Sequence, residues 1–237
     1  MTLQGSQTIP ELPFDYSLVR SNRKTVAIHV SAKGVSIRIP HHVTDEFALA
    51  FLLKKSAWVQ SKLKAQSHVH ALLPKLEVGS SILWQGQKFI IDYRLAKRRG
   101  LIMNEQSFIV EAPEWPNASQ LLDVFSGYFK QQAKHYLTLE TMKQAERMNL
   151  FHKLDSVKFR RTKSKWGHCT SKGVIQYNWL IMGAPISVIQ YLVVHEVAHL
   201  KYPHHQSAFW DLVERYCPDY KESNLWLKEN GVKLGWC

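Results

Sequence analysis

The chain has 237 residues, 45% of them hydrophobic, with a formal net charge of +12 and a pI near 9.6. That is enough apolar material to bury a substantial core as one large domain or two small ones. No apolar run approaches the roughly 18–20 residues that span a bilayer, and no charged start followed by an apolar stretch marks secretion. The expected location is therefore the cytoplasm.

Residues 1–13 are polar and contain two prolines, the composition of a loose terminus. From Thr25 to Ile39, the alternations Val26-Ile28-Val30 and Val35-Ile37-Ile39 predict two short strands around Lys33-Gly34. Thr44 then caps a helix with Asp45 and Glu46 in its first turn and Phe47, Phe51, Trp58 and Leu63 among its apolar positions. Strands return from Ser81 to Leu95, turning at Gln85-Gly86, and from Leu101 to Val110. The turn-rich stretch Ala112-Pro-Glu-Trp-Pro-Asn117 is the expected boundary. It divides a β-rich amino-terminal subdomain with one helix, over 14–115, from a second subdomain over 116–237.

A long helix is predicted from Ser119 to about Met148, its buried stripe comprising Leu122, Phe125, Phe129, Tyr136, Leu139 and Met142. A strand at Ser156 to Arg161, a turn at Trp166-Gly-His-Cys169 and a strand at Val174 to Leu180 lead into Pro185, a suitable helix start. Basic residues crowd this approach (Lys158, Arg160, Arg161, Lys163, Lys165), and Lys97-Arg-Arg99 forms a second cluster. Such charge admits nucleic acid or another polyanion as a partner. No nucleic-acid-binding motif accompanies it, so solvated strand and loop faces explain it equally.

From Pro185 runs an apolar helix that carries His195-Glu-Val-Ala-His199. Residues four apart share a helix face, so His195 and His199 can present two imidazoles to one metal ion. Glu196, one position round, can take a proton from a metal-bound water. Burying two histidines and a glutamate without partners would be costly, and a zinc ion supplies the partner. A catalytic zinc usually takes a third protein ligand. Pro203 should end the helix near Tyr202 and let a later histidine swing back. His205 has the offset of the third histidine in the elongated metzincin pattern, although Tyr202 stands where that pattern has glycine. His204 is the nearest rival, and Glu214 is the option for a site of two histidines and a carboxylate. A helix after Ser207, with Phe209, Trp210, Leu212, Val213 and Tyr216, would pack beneath the site. The Val174 to Leu180 strand is the candidate to bind extended substrate through its backbone. Cys169, Cys217 and Cys237 lack metal-type or disulfide pairing, and a buried structural thiol is the ordinary reading of Cys169.

The segment from Ser164 to Trp210 resembles the YgjP-like family of zinc metallopeptidases, which is itself similar to the SprT-like peptidases. The resemblance rests on Lys165-Trp-Gly-His-Cys-Thr170, Gly173-Val-Ile-Gln-Tyr-Asn-Trp-Leu180, Pro185, Tyr191-Leu-Val-Val-His-Glu-Val-Ala-His-Leu200, His205 and Phe209-Trp210. More loosely it extends to Arg23-Lys24, Gly34-Val35, Ile39-Pro40 and Ala57-Trp58-Val59. His168, His204 and Gln206 depart from the family pattern, which has serine, asparagine and serine there. The resemblance implies an α+β, zincin-like metallopeptidase core made of an active-site helix, a long backing helix and a small sheet. It implies one Zn2+ held by His195, His199 and His205, with Glu196 as general base and a peptide or protein as substrate. Tyr202, His204 and His168 are the conceivable oxyanion donors. The alternative is a zinc-stabilised module that binds nucleic acid or protein without hydrolysis. A module of that kind would close its site with a fourth ligand, and none is evident.

Overall fold

The computed structural model of the protein describes residues 12–31, 34–162 and 164–236. Apart from Leu12 and Pro13, the loose terminus expected over 1–13 lies outside them, as do Lys33, Lys163 and Cys237. The described chain separates into two compact units, one ending at Leu72 and the other beginning at Leu73. Each combines α and β elements, so the class is α+β as expected.

The first unit contains β1 (Tyr16–Arg20), β2 (Ala27–Ser31), β3 (Gly34–Ile39), α1 (Asp45–Lys54) and α2 (Ser56–Leu72). Alternation in β3 turns Val35, Ile37 and Ile39 to one side, where all three are buried. β1 lies parallel to β3 on one flank and β2 antiparallel on the other. β1 carries no alternation that would mark it in the sequence, since its only strongly apolar residues, Leu18 and Val19, are adjacent. Thr44 does cap the following helix, accepting from the Phe47 amide at 3.3 Å. The expected single helix is two, broken at Lys55. Its buried residues are Ala48, Leu52 and Val59, whereas Phe47 and Trp58 are exposed. Lys62 lies 6.0 Å over the Trp58 ring, a cation–π cover that lets a large indole remain at the surface.

The second unit has a four-stranded sheet of β4 (Ser81–Trp84), β5 (Gln87–Leu95), β6 (Gly100–Met103) and β7 (Ser107–Ala112), in the order β4-β5-β7-β6. After α3 (Ala118–Arg147) comes a three-stranded sheet of β8 (Ser156–Arg160), β9 (Gly167–Cys169) and β10 (Val174–Asn178), in the order β8-β10-β9. A 3-10 stretch, Trp179–Gly183, leads to α4 (Ile186–Ala198), α5 (Ser207–Tyr216) and α6 (Tyr220–Asn230). α6 is an element beyond those expected from the sequence.

Ala112–Asn117, the expected boundary, is instead a link inside this unit. Trp84 meets Phe129 edge-to-face at 4.9 Å and Phe108 meets Phe125 at 5.4 Å, so one aromatic core runs from the four-stranded sheet to α3 across the link. Truncating a ring in such a core typically costs about 3–5 kcal/mol. Proline and tryptophan marked a turn correctly, but a turn need not separate two cores.

Asn117 caps α3 and closes a capping box with Gln120. The buried stripe is Leu121, Phe125, Phe129, Ala133, Leu137 and Thr141; Leu139 and Met142, expected inside, are exposed. An apolar pattern overlooks Thr141 because it is polar. Its hydroxyl lies 3.0 Å from the phenol of Tyr177 on β10, which satisfies both groups in a fully buried position.

The β4–β5 hairpin fixes where α4 begins. Gln85 and Gly86 both have positive φ, the backbone of a two-residue primed turn. At the tip their amides donate to the carbonyls of Met182 and Gly183, at 2.9 and 3.0 Å. A Cβ on Gly86 would lie 2.9 Å from the Pro185 ring, so only glycine lets the tip sit this close to the helix start.

Candidate metal centre

α4 is buried over most of its circumference, with Val188, Ile189, Leu192, Val193, Val194, Val197 and Ala198 inside. Its regular α-helical span ends at Ala198, ahead of the expected end near Tyr202. Leu200 and Lys201 close a tight turn by donating to the carbonyls of Val197 and Ala198, both at 3.0 Å. This reversal precedes Pro203, which itself cannot continue a helix. His199 occupies the cap with near-helical φ and ψ and so still shares a face with His195.

The loop from Tyr202 to Gln206 brings back a third imidazole. The candidate ligand atoms of His195, His199 and His205 all lie within 4.8 Å of one another. The Nε2 atoms of His195 and His205 are 3.1 Å apart. Two nitrogens on a tetrahedral zinc, each bound at about 2.0–2.1 Å, would be separated by about 3.3 Å, so this spacing fits a shared ion. Nδ1 of His199 lies 3.0 Å from the Tyr202 carbonyl. A carbonyl can only accept, so Nδ1 carries the proton and Nε2 keeps its lone pair for a metal. Burial, reinforced by His199 and His205, pushes the His195 imidazole down to about 3. Burial also lowers His199. Both rings are thus neutral near pH 7, the form that binds metal.

Of the rival third ligands, His204 is exposed and outside this group, and Glu214 pairs with Lys221 at 3.7 Å. Tyr202 contributes its backbone carbonyl to the site. His168 is exposed, and β-strand alternation turns it to the face of β9 opposite the one its neighbour Gly167 presents. Trp166–Cys169 was expected as a turn, yet Gly167–Cys169 forms a strand.

Glu196 is 3% exposed, and its Oε2 is buried without a hydrogen-bond partner among the described residues, as is Nδ1 of His195. Buried polar atoms are rarely left unpaired, and exceptions concentrate where a ligand completes the site. Burial pushes the Glu196 carboxyl up to about 8, against the opposing pull of Lys165. β9 crosses directly over this carboxyl. A Cβ on Gly167 would fall 2.6 Å from Cδ and Cγ of Glu196 and closer still to Oε1. Nothing in the sequence pairs Gly167 with Glu196, because the contact joins a strand to a helix 29 residues later.

α5 supports the imidazoles from the other side. Phe209 stacks on His199 at 4.6 Å, and Trp210 stacks on His205 at 5.7 Å. The aromatic pair expected to be packing is packing, and what it packs against is the histidine cluster.

These shifts make the metal-free protein's stability depend on pH in two opposite ways. Below about 6.5 the unfolded chain protonates His195, while the folded chain resists until about 3, so stability falls with acid across that window. Glu196 acts in reverse. The folded chain keeps its proton up to about 8 while the unfolded chain loses it near 4.5, so stability falls as pH rises between those values. Denaturant titration in chelator should therefore show Glu196→Gln gaining on wild type from about pH 5 to 8, by up to a few kcal/mol. A difference that did not change with pH would contradict this assignment.

A helix that ends on two imidazoles and receives a third from the loop behind it has the layout of the HExxH class of metalloproteins. The family model described as YgjP-like, metallopeptidase domain, matches residues 24–230. The chain belongs to the YgjP-like family and carries its metallopeptidase domain. No curated protein matches it significantly. Among solved structures, the metallopeptidase zymogen of Pyrococcus abyssi abylysin is similar, at 22% identity and a TM-score of 0.35. The match covers 39% of this chain and 93% of that one. Among the described residues no helix is long and apolar enough to cross a membrane.

Proposed function

We propose that the protein is a zinc metallopeptidase with a zincin-like core. In this reading His195, His199 and His205 hold one Zn2+ and Glu196 is the general base. The observation that carries the reading is the convergence of three imidazoles beside a buried carboxyl whose Oε2 has no hydrogen-bond partner among the described residues. A zinc ion there would supply a Lewis acid to the scissile carbonyl and lower the pKa of a nearby water.

The charge of a bound cation would favour the ionised form of Glu196, and the carboxylate then accepts the proton of the attacking water as the new C–O bond forms. It then passes that proton to the departing amine as the C–N bond breaks. The orphaned Oε2 is the atom free to do this. Phe209 and Trp210 hold the histidine rings in place, and the Tyr202 carbonyl fixes the tautomer of His199.

The backbone that receives extended substrate is β9. β10, which the sequence suggested, is the central strand, paired with β8 on one side and β9 on the other, and has no edge to offer. The ladder bonds from Asn178 to Trp166 and from Thr170 to Val174 set the alternation of the β9–β10 pair. By that alternation Gly167 and Cys169 turn their N–H and C=O groups away from β10, towards a strand that could add beside Glu196.

His205→Ala tests the ligand set. Metal analysis of the purified variant should show bound zinc falling far below about one per chain, with hydrolysis of an unfolded, casein-like protein lost in parallel. Full zinc occupancy in the variant would remove His205 from the set. Wild-type protein that bound zinc yet cleaved nothing would instead favour a binding module.

A further inference from the structure

We propose that an open cleft of about 400 Å³, formed by the segment after α3, the turn after α4 and the outer face of α5, docks an acidic segment of the polypeptide substrate. The proposal rests on the peptidase reading and adds to it the class of substrate that the protein prefers.

Four basic side chains line the cleft: His152, Lys153, Lys201 and Arg215. Lys153 and Arg215 have no ion-pair partner among the described residues, and Lys201 has only the ring of Tyr202, 5.1 Å away. The surface acids of this unit that do form ion pairs are matched elsewhere, such as Glu214 with Lys221 and Glu111 with Arg94. Cations left unneutralised around a concave surface attract carboxylates more strongly than the same cations spread over a convex one. Leu212 adds an apolar wall on which the stems of long side chains can rest.

The lining favours an acidic peptide over nucleic acid. Single strands are held by aromatic faces open to base stacking. Besides the His152 imidazole, Tyr216 is the one ring among the described lining residues, and the Arg147 guanidinium covers it at 5.7 Å while its hydroxyl donates to the Arg147 carbonyl at 3.0 Å.

The cleft is also close to the metal centre. Lys201 follows His199 by two residues, at most about 7 Å of chain. α5 separates the two sites, with Phe209 and Trp210 against the histidines and Leu212, Arg215 and Tyr216 on the cleft. A substrate that fills both would therefore pass round α5, its acidic segment in the cleft and its scissile segment at the histidines.

The test compares two fluorogenic peptides that share a cleavable core and differ in a hexaglutamate or hexaglutamine tail, on zinc-loaded full-length protein. The acidic tail should lower KM about tenfold with kcat unchanged, and this advantage should vanish in half-molar salt and in the double variant K153Q/R215Q. Equal KM values, or an advantage that survives in the double variant, would overturn the proposal. In parallel, anisotropy of a labelled hexaglutamate peptide should report binding to wild type and its loss in K153Q/R215Q. If that pattern is seen while neither substrate is cut, the cleft assignment stands and the hydrolytic reading falls. Tighter binding of a single-stranded DNA 12-mer than of the acidic peptide, with the same dependence on Lys153 and Arg215, would overturn the choice of partner.

Discussion

Glu196→Gln should cut peptide hydrolysis by about 10²–10⁴-fold while leaving bound zinc near one per chain. The glutamine is nearly isosteric, so it keeps the packing beneath β9, and it removes only the group able to accept and return a proton. Glu196 lies outside the cluster of candidate ligand atoms, so the metal should remain. Steady-state hydrolysis of an unfolded protein, alongside metal content measured on the same preparation, checks both halves. A variant that cleaved at the wild-type rate would exclude Glu196 as the base, and one that lost its zinc would recast Glu196 as a ligand. The hydrolysis pH profile gives an independent reading: the limb owed to the Glu196 carboxylate should disappear in the variant, and its persistence would assign that limb to another group.

Gly167→Ala should be nearly as damaging to activity, on the order of 10²-fold, and far less damaging to the fold. The added methyl would collide with the Glu196 side chain from Cγ to Oε1 rather than with backbone. The side chain can give way by turning about its own bonds, which costs the fold less than moving a strand would. Even so, displacing a catalytic group by about 1 Å can cost about 10²-fold in rate. The expected signature is thus a fall in kcat with a thermal midpoint and zinc content close to wild type. Loss of stability in proportion to activity would mean that Gly167 serves the fold instead, and unchanged kcat would mean that Glu196 tolerates displacement.

The candidate metal site was the most legible part of the sequence because its geometry is local. The four-residue spacing of His195 and His199 needs only a helix, and His205 is six residues beyond His199 across a reversal that comes earlier than Pro203 suggested. What required distant contacts was not legible. Gly167 meets Glu196 only once β9 is laid over α4, and β10 loses its edges only once β8 and β9 flank it. In the helices, large apolar residues misled. Phe47, Trp58, Leu139 and Met142 are exposed, while the small Ala48 and Ala133 and the polar Thr141 occupy the interior, where close approach of neighbouring elements favours small or hydrogen-bonded side chains. The class of the fold was legible, but its division was not, since chain composition records turns and is blind to a core that continues across one.

The docking of the Gln85–Gly86 tip onto the carbonyls of Met182 and Gly183 means that the proposed catalytic apparatus is not portable as a carboxy-terminal fragment. A version starting at residue 116 would keep every proposed ligand, yet the run into α4 would lose its two clamps and its hydrophobic backing. Grafting this chemistry onto another scaffold would require carrying along a hairpin about a hundred residues upstream of the histidines.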